Sequence, residues 1–189
     1  MKRDHEELTD EQIVARVLNG NIDLFKEIIE RYRNRVFTIG MKFLRNRDDA
    51  ADFTQEVFLK AYGSLRSFRG ESRFYSWIVR VTYNHGINSS RAAKPSDSLV
   101  DEFTESGELS PERAHMRAEV GRALRRAMGE LPPEYRVCVD FYFFFGLSYR
   151  EIGDITGFPV NTIKSHVFRA KHMLRDALKG TIAEAYHEV

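Results

Sequence analysis

Little in this sequence suits a secreted, metal-dependent or membrane-embedded protein. There is one cysteine in 189 residues, Cys138, so an intrachain disulfide and a thiolate metal site are both excluded. Its neighbours Val137 and Val139 point to a buried structural thiol. No apolar run approaches the length of a membrane span, and the opening MKRDHEELTD lacks the core of a signal peptide. A cytoplasmic location without membrane insertion is therefore expected. Six histidines fall at no metal-ligand spacing, and His85, His166 and His172 read as solvated or hydrogen-bonding side chains. No carboxylate, histidine or cysteine constellation suits acid-base or metal chemistry, so neither an enzyme nor a cofactor is expected.

What the chain does have is a hydrophobic fraction of 42%, enough for one large or two small cores, and an uneven charge. The net charge of +1 hides a pattern. Residues 1–91 carry 16 basic and 13 acidic side chains, 92–112 carry 1 and 6, and 113–189 carry 12 and 9. Two mildly basic modules flank an acidic connector. That connector, AAKPSDSLVDEFTESGELSPE, has two prolines and little aromatic content, which predicts flexibility and a reach of at most about 70 Å.

Helical spacing recurs throughout, with no convincing alternation of period two. Thr9 is placed to cap a helix over Leu8 to Leu18, and apolar residues from Leu24 to Leu44 keep three- and four-residue steps for a long second helix. From about Asp49 to Leu65, Ala50, Phe53, Val57, Ala61 and Leu65 form an apolar face. Asp52, Gln55 and Glu56 lie off that face as one polar patch that the core does not need. A further helix is expected over Glu71 to Arg91. Around its start, Phe68, Phe74, Tyr75, Trp77 and Tyr83 alternate with Arg66, Arg69, Arg73 and Arg80, rings beside cations such as unstacked bases on a phosphate backbone require.

In the second module a helix from about Pro111 stops at Leu131-Pro132-Pro133. The run FYFFF after it is core, helix or strand on periodicity alone, with the helical surroundings favouring helix. Ser148 and Glu151 stand at capping-box spacing, Gly157-Phe158-Pro159 forms a turn, and Asn161 or Thr162 is placed to cap a last helix. On that helix Ile163, Val167, Ala170 and Leu174 face inward. Thr162, Lys164, Ser165, His166, Arg169 and Lys171 face outward. A polar, basic second helix after a tight turn is what reading a major groove requires. The expected fold is all-α: two small helical domains, 1–91 and 113–189, joined by a flexible acidic linker, 92–112, with the C-terminal domain a helix-turn-helix.

These motifs carry a family resemblance. DAADFTQEVFLKAYGSLRSFRGESRFYSWIVRVTYN resembles the second conserved region of bacterial extracytoplasmic-function sigma factors, and LPPEYRVCVDFYFFFGLSYREIGDITGFPVNTIKSHVFRAKHMLRDAL resembles their fourth. The resemblance implies a promoter-selecting, promoter-opening subunit of RNA polymerase that contacts the β′ clamp and β subunits. Asp52, Gln55 and Glu56 would dock on the clamp helices. Phe68, Arg69, Ser72, Phe74, Tyr75, Trp77, Arg80 and Asn84 would hold the minus-ten element as single strand. Thr162, Lys164, Ser165, His166, Phe168 and Arg169 would read the minus-thirty-five element as duplex. Asn161-Thr162 and His166 depart from the Gly-Thr and second arginine of many relatives, so the promoter sequence does not carry over. The aromatic run Phe141 to Phe145, with Tyr142 at a usually basic position, suggests an exposed patch for an inhibitory anti-sigma partner. A stand-alone helix-turn-helix regulator is the competing reading.

Overall fold

The computed structural model describes residues 8–44, 46–90 and 111–181. The chain divides into two compact units, Met1–Ser96 and Asp97–Val189. Among the described residues the regular structure is helical, with no strand. The acidic connector lies outside the described residues, apart from Pro111 and Glu112 at the start of a helix.

In the first unit, α1 (Asp10–Leu18) begins with the expected cap. The Thr9 hydroxyl accepts from the Gln12 N–H at 3.3 Å, and the Gln12 side chain accepts from the Thr9 N–H at 2.9 Å. Asp10 also ties α1 to α2 (Phe25–Phe43): its carboxylate receives Arg31 at 2.8 Å and the Tyr32 hydroxyl. Asn46 caps α3 (Arg47–Gly63), accepting from the Asp49 N–H at 2.7 Å. The helix therefore starts two residues before the expected point. A single 3-10 turn at Leu65–Ser67 leads toward α4 (Phe74–Ser90).

Helix α2 packs on both α3 and α4, and two glycines set how closely. A Cβ at Gly40 would sit 2.8 Å from the Phe53 ring on α3, and one at Gly86 of α4 only 2.3 Å from the Phe43 ring on α2. Each glycine opens room for an aromatic ring against backbone. The core enclosed by these helices includes Ile13, Ile28, Val57, Leu65, Phe74 and Trp77.

The second unit is built from α5 (Pro111–Gly129), α6 (Pro133–Val139), α7 (Tyr149–Thr156) and α8 (Val160–Leu178). Met128, Leu131, Val139 and Ala170 form a buried cluster where α5 and α6 meet α8. The FYFFF run continues α6 as helix, but with the wide spacing of a π turn over Asp140–Phe144. The Phe145 N–H reaches the Asp140 carbonyl at 3.1 Å, five residues back. Phe141 and Phe145 are buried, Phe144 packs on the core cluster, and Tyr142 stacks on Tyr149 at 4.8 Å. Phe143, half exposed, is what remains of the expected aromatic patch. The run is aromatic mainly because it fills the core.

Candidate polymerase and nucleic-acid interfaces

Along α3 the apolar spacing puts Ala50, Phe53, Val57 and Ala61 inside, and Asp52, Gln55 and Glu56 are all exposed on the outside, as expected. The exposed surface continues beyond the polar patch. Leu59, one turn after Gln55, is 73% exposed, and with Ile22, Phe25, Gln55, Phe58 and Tyr62 it lines an open groove of about 800 Å³. This apolar extension is not legible in the heptad-like pattern, because Leu59 and Tyr62 fall between the positions that count as core.

Behind Glu56 lies a contact between α3 and α4. His85 is buried, with its ring stacked on Phe53 at 4.8 Å between centroids. Lys60 Nζ lies 2.6 Å from His85 Nδ1, and Glu56 Oε2 lies 3.0 Å from His85 Nε2, close but poorly aligned for a hydrogen bond. Burial, and then the Lys60 charge, hold this imidazole below the usual histidine pKa despite the opposing pull of Glu56. Of the two expected readings, solvated or hydrogen-bonding, the second holds: the side chain is interior, between one cation and one anion.

The ring-and-arginine segment divides into an inside and an outside. Phe74 and Trp77 are 0% and 3% exposed. They meet Phe68 edge-on at 5.3 and 5.9 Å and each other at 5.3 Å. Both belong to the core of the first unit, so the expectation that they present stacking surfaces is corrected. The cause is helical spacing: positions 74, 77, 78, 81, 82 and 85 form one face of α4, and that face packs inward. Tyr75 is half-buried, stacked on Tyr32 at 6.0 Å with the Arg35 guanidinium 6.0 Å from its ring. Phe68, Ser72 and Arg80 are half-buried, and Arg69 and Asn84 are exposed. The surface that remains is more polar and cationic than the sequence suggests.

In the second unit the helix-turn-helix takes its expected form. Ser148 and Glu151 close a capping box at the start of α7, and Gly157 ends that helix at φ 78°, a left-handed conformation that favours glycine. Pro159 holds the cap position of α8, with no side-chain cap, and Val160 is already helical. The expected capping role of Asn161 or Thr162 is thus corrected. A proline fixed at φ −58° supplies the helical entry itself. Ile163, Val167 and Ala170 are buried; Lys164, Ser165, Phe168 and Arg169 are exposed; Thr162 is half-buried.

His166 sits half-buried against α6, 4.7 Å from the Tyr135 ring and 5.6 Å from Phe158, with Nδ1 3.8 Å from Cys138 Sγ. The thiol is fully buried, and burial pushes its pKa up to about 11, so it stays protonated. Tyr135 also accepts a hydrogen bond from Arg169 at 3.3 Å. One tyrosine thereby holds two of the outward residues of α8, a role that sequence spacing did not reveal because Tyr135 and Arg169 are 34 positions apart.

Comparison with known proteins agrees with this geometry. Residues 28–95 match sigma-70 region 2, and residues 121–174 match sigma-70 region 4. The RNA polymerase sigma-H factor of Pseudomonas aeruginosa is 34% identical over 187 residues, covering 93% of this chain and 97% of that protein. The ECF RNA polymerase sigma-E factor of Escherichia coli K12 is 34% identical over 188 residues, covering 94% and 98%. Two solved structures share the fold, each with a TM-score of 0.62. One is CnrH in complex with the cytosolic domain of CnrY (20% identity, 88% of this chain and 94% of that one). The other is the sigma factor RpoE with the anti-sigma factor NepR from Bartonella quintana (21% identity, 82% and 97%). With both conserved regions in order and full-length relatives above 30% identity, the chain belongs to the sigma-70 family, within its ECF sigma factors.

Proposed function

We propose that the work of this sigma factor is divided among three surfaces on two domains, 1–91 and 113–189, with 92–112 as their linker. The protein directs core RNA polymerase to promoters for transcription initiation. It acts by binding and orienting, and the chemistry of RNA synthesis belongs to the polymerase. The observation that carries the division is the exposure of Asp52, Gln55 and Glu56 on α3 and of Lys164, Ser165 and Arg169 on α8, each opposite a fully buried face of the same helix.

In this reading the α3 patch docks on the β′ clamp. Arg69, Ser72, Arg80 and Asn84, with the accessible parts of Phe68 and Tyr75, hold the opened minus-ten strand, and Phe74 and Trp77 support them from inside. Stacking on an accessible ring contributes about 1–3 kcal/mol per base, and phosphate contacts supply the rest. Helix α8 enters the major groove of the minus-thirty-five duplex with Thr162, Lys164, Ser165, His166, Phe168 and Arg169. RpoE of Bartonella was solved with an anti-sigma factor. An anti-sigma partner is part of this proposal, with Phe143 as its candidate anchor in the second unit.

Reconstituted transcription with purified core polymerase tests the division. Asp52→Ala with Gln55→Ala is expected to weaken core binding roughly five- to tenfold while leaving the affinity of the free protein for duplex DNA unchanged. Loss of both together, in a folded variant, would overturn the separation of surfaces.

A further inference from the structure

The relay between Lys60, His85 and Glu56 has a definite proton arrangement. A lysine ammonium only donates, so His85 Nδ1, 2.6 Å away, must accept. In a neutral ring the remaining proton then sits on Nε2, which faces the Glu56 carboxylate at 3.0 Å. The charges at the two ends fix one tautomer. The stack on Phe53 fixes the plane of the ring, and the missing Cβ of Gly40 leaves room for Phe53 itself. Glu56, whose side chain is 61% exposed, is the outward end of this arrangement, while the His85 side chain is 5% exposed.

We propose that His85 is a positioning residue for polymerase binding: from inside α4 it sets where the Glu56 carboxylate is presented on the outer face of α3. This rests on the reading of Glu56 as a polymerase contact. The other charged group facing the ring is Lys60, from the same helix as Glu56; α2 contributes Gly40, through Phe53. Protonating the ring removes the Nδ1 acceptor, turns a second cation toward Lys60 and makes the existing 3.0 Å approach of Nε2 to Glu56 an ion pair. The carboxylate is then held and neutralised by the ring instead of being free for the docking face. Because burial and Lys60 hold the folded-state pKa below the ordinary histidine value, the neutral relay persists down to that lowered pKa and fails as pH falls through it. Stability declines in the same direction, since the unfolded chain takes up the proton more readily.

The test is the affinity of the full-length protein for purified core polymerase between about pH 5 and 8, with Glu56→Gln measured in the same buffers to cancel effects on the polymerase itself. At neutral pH, Glu56→Gln and His85→Leu should each weaken binding roughly three- to fivefold. His85→Gln should recover most of the affinity lost by His85→Leu, since an amide restores a neutral donor and acceptor. On acidification the ratio of wild-type to Glu56→Gln affinity should collapse toward one. The ratio of His85→Gln to the double variant His85→Gln/Glu56→Gln should stay flat. If Glu56→Gln binds like wild type, Glu56 is no polymerase contact and the proposal falls with that reading. If Glu56→Gln weakens binding while folded His85→Leu, checked by thermal melting, does not, the relay alone is overturned. A wild-type ratio that is independent of pH overturns it as well.

Discussion

Helices α4 and α8 both carry side chains proposed to contact DNA, and they differ in how their faces relate to the sequence. On α8 the cations and the exposed Phe168 fall on the face opposite Ile163, Val167 and Ala170, so one rule sorts the helix apart from His166, which packs on α6. On α4 a second pattern, rings alternating with arginines, runs across the helical one and suggests a stacking surface. The structure follows the helical period: Phe74 and Trp77 go inside, while Asn84 stays out. Burying each ring stabilises the fold by about 1.5–3 kcal/mol, as much as stacking a base would contribute, and the core contact is permanent. Where two periodicities compete for the same aromatics, the one that closes the core prevails.

The largest way to break this comparison is Trp77→Ala. A buried indole lost from between Phe68 and Phe74 should destabilise the first unit by about 3–5 kcal/mol, seen as an early unfolding transition in denaturant. A variant that stays as stable as wild type and fails only in strand opening would show instead that the ring leaves the core to meet DNA. A smaller loss is expected from Gly86→Ala, about 1–3 kcal/mol by the same measurement, because the new methyl must displace the Phe43 ring 2.3 Å away. No equivalent constraint acts on the exposed face of α8. The smallest effects sharpen the contrast between the two DNA surfaces. Lys164→Ala should make the salt dependence of duplex binding shallower by about 0.9 in log-log slope, and Arg80→Ala that of single-strand binding by about 0.7, if each neutralises one phosphate. Equal changes on both substrates by either variant would mean that the surfaces are not separate.

Much of the fold was legible because its signals are local. Thr9 with Gln12, Ser148 with Glu151, and Gly157 each fix a helix end within a few residues, and the apolar spacing of α2, α3 and α8 was read correctly. The polar patch of α3 and the outer face of α8 followed from the same spacing. What was missed depends on partners distant in sequence. His85 meets Lys60 across 25 positions, Tyr135 meets Arg169 across 34, and Gly86 makes room for Phe43 on another helix. The cap of α8 was missed for a different reason: a proline can start a helix without any side-chain acceptor, so polar residues nearby drew the expectation two or three residues too late.

The wide turn at Asp140–Phe144 makes residue number, more than residue type, the property held constant before the helix-turn-helix. Deleting one residue from this run would let the rest close at ordinary α spacing and would swing all that follows by about 100° about the helix axis. Ser148 and α7 would then leave α6 in the wrong direction, with every buried side chain still apolar. Exchanging one large apolar residue for another keeps the count and the aim. Single-residue indels here should therefore be far less tolerated than substitutions, a gap that a deletion scan set beside a substitution scan of the same five positions would measure as lost promoter output.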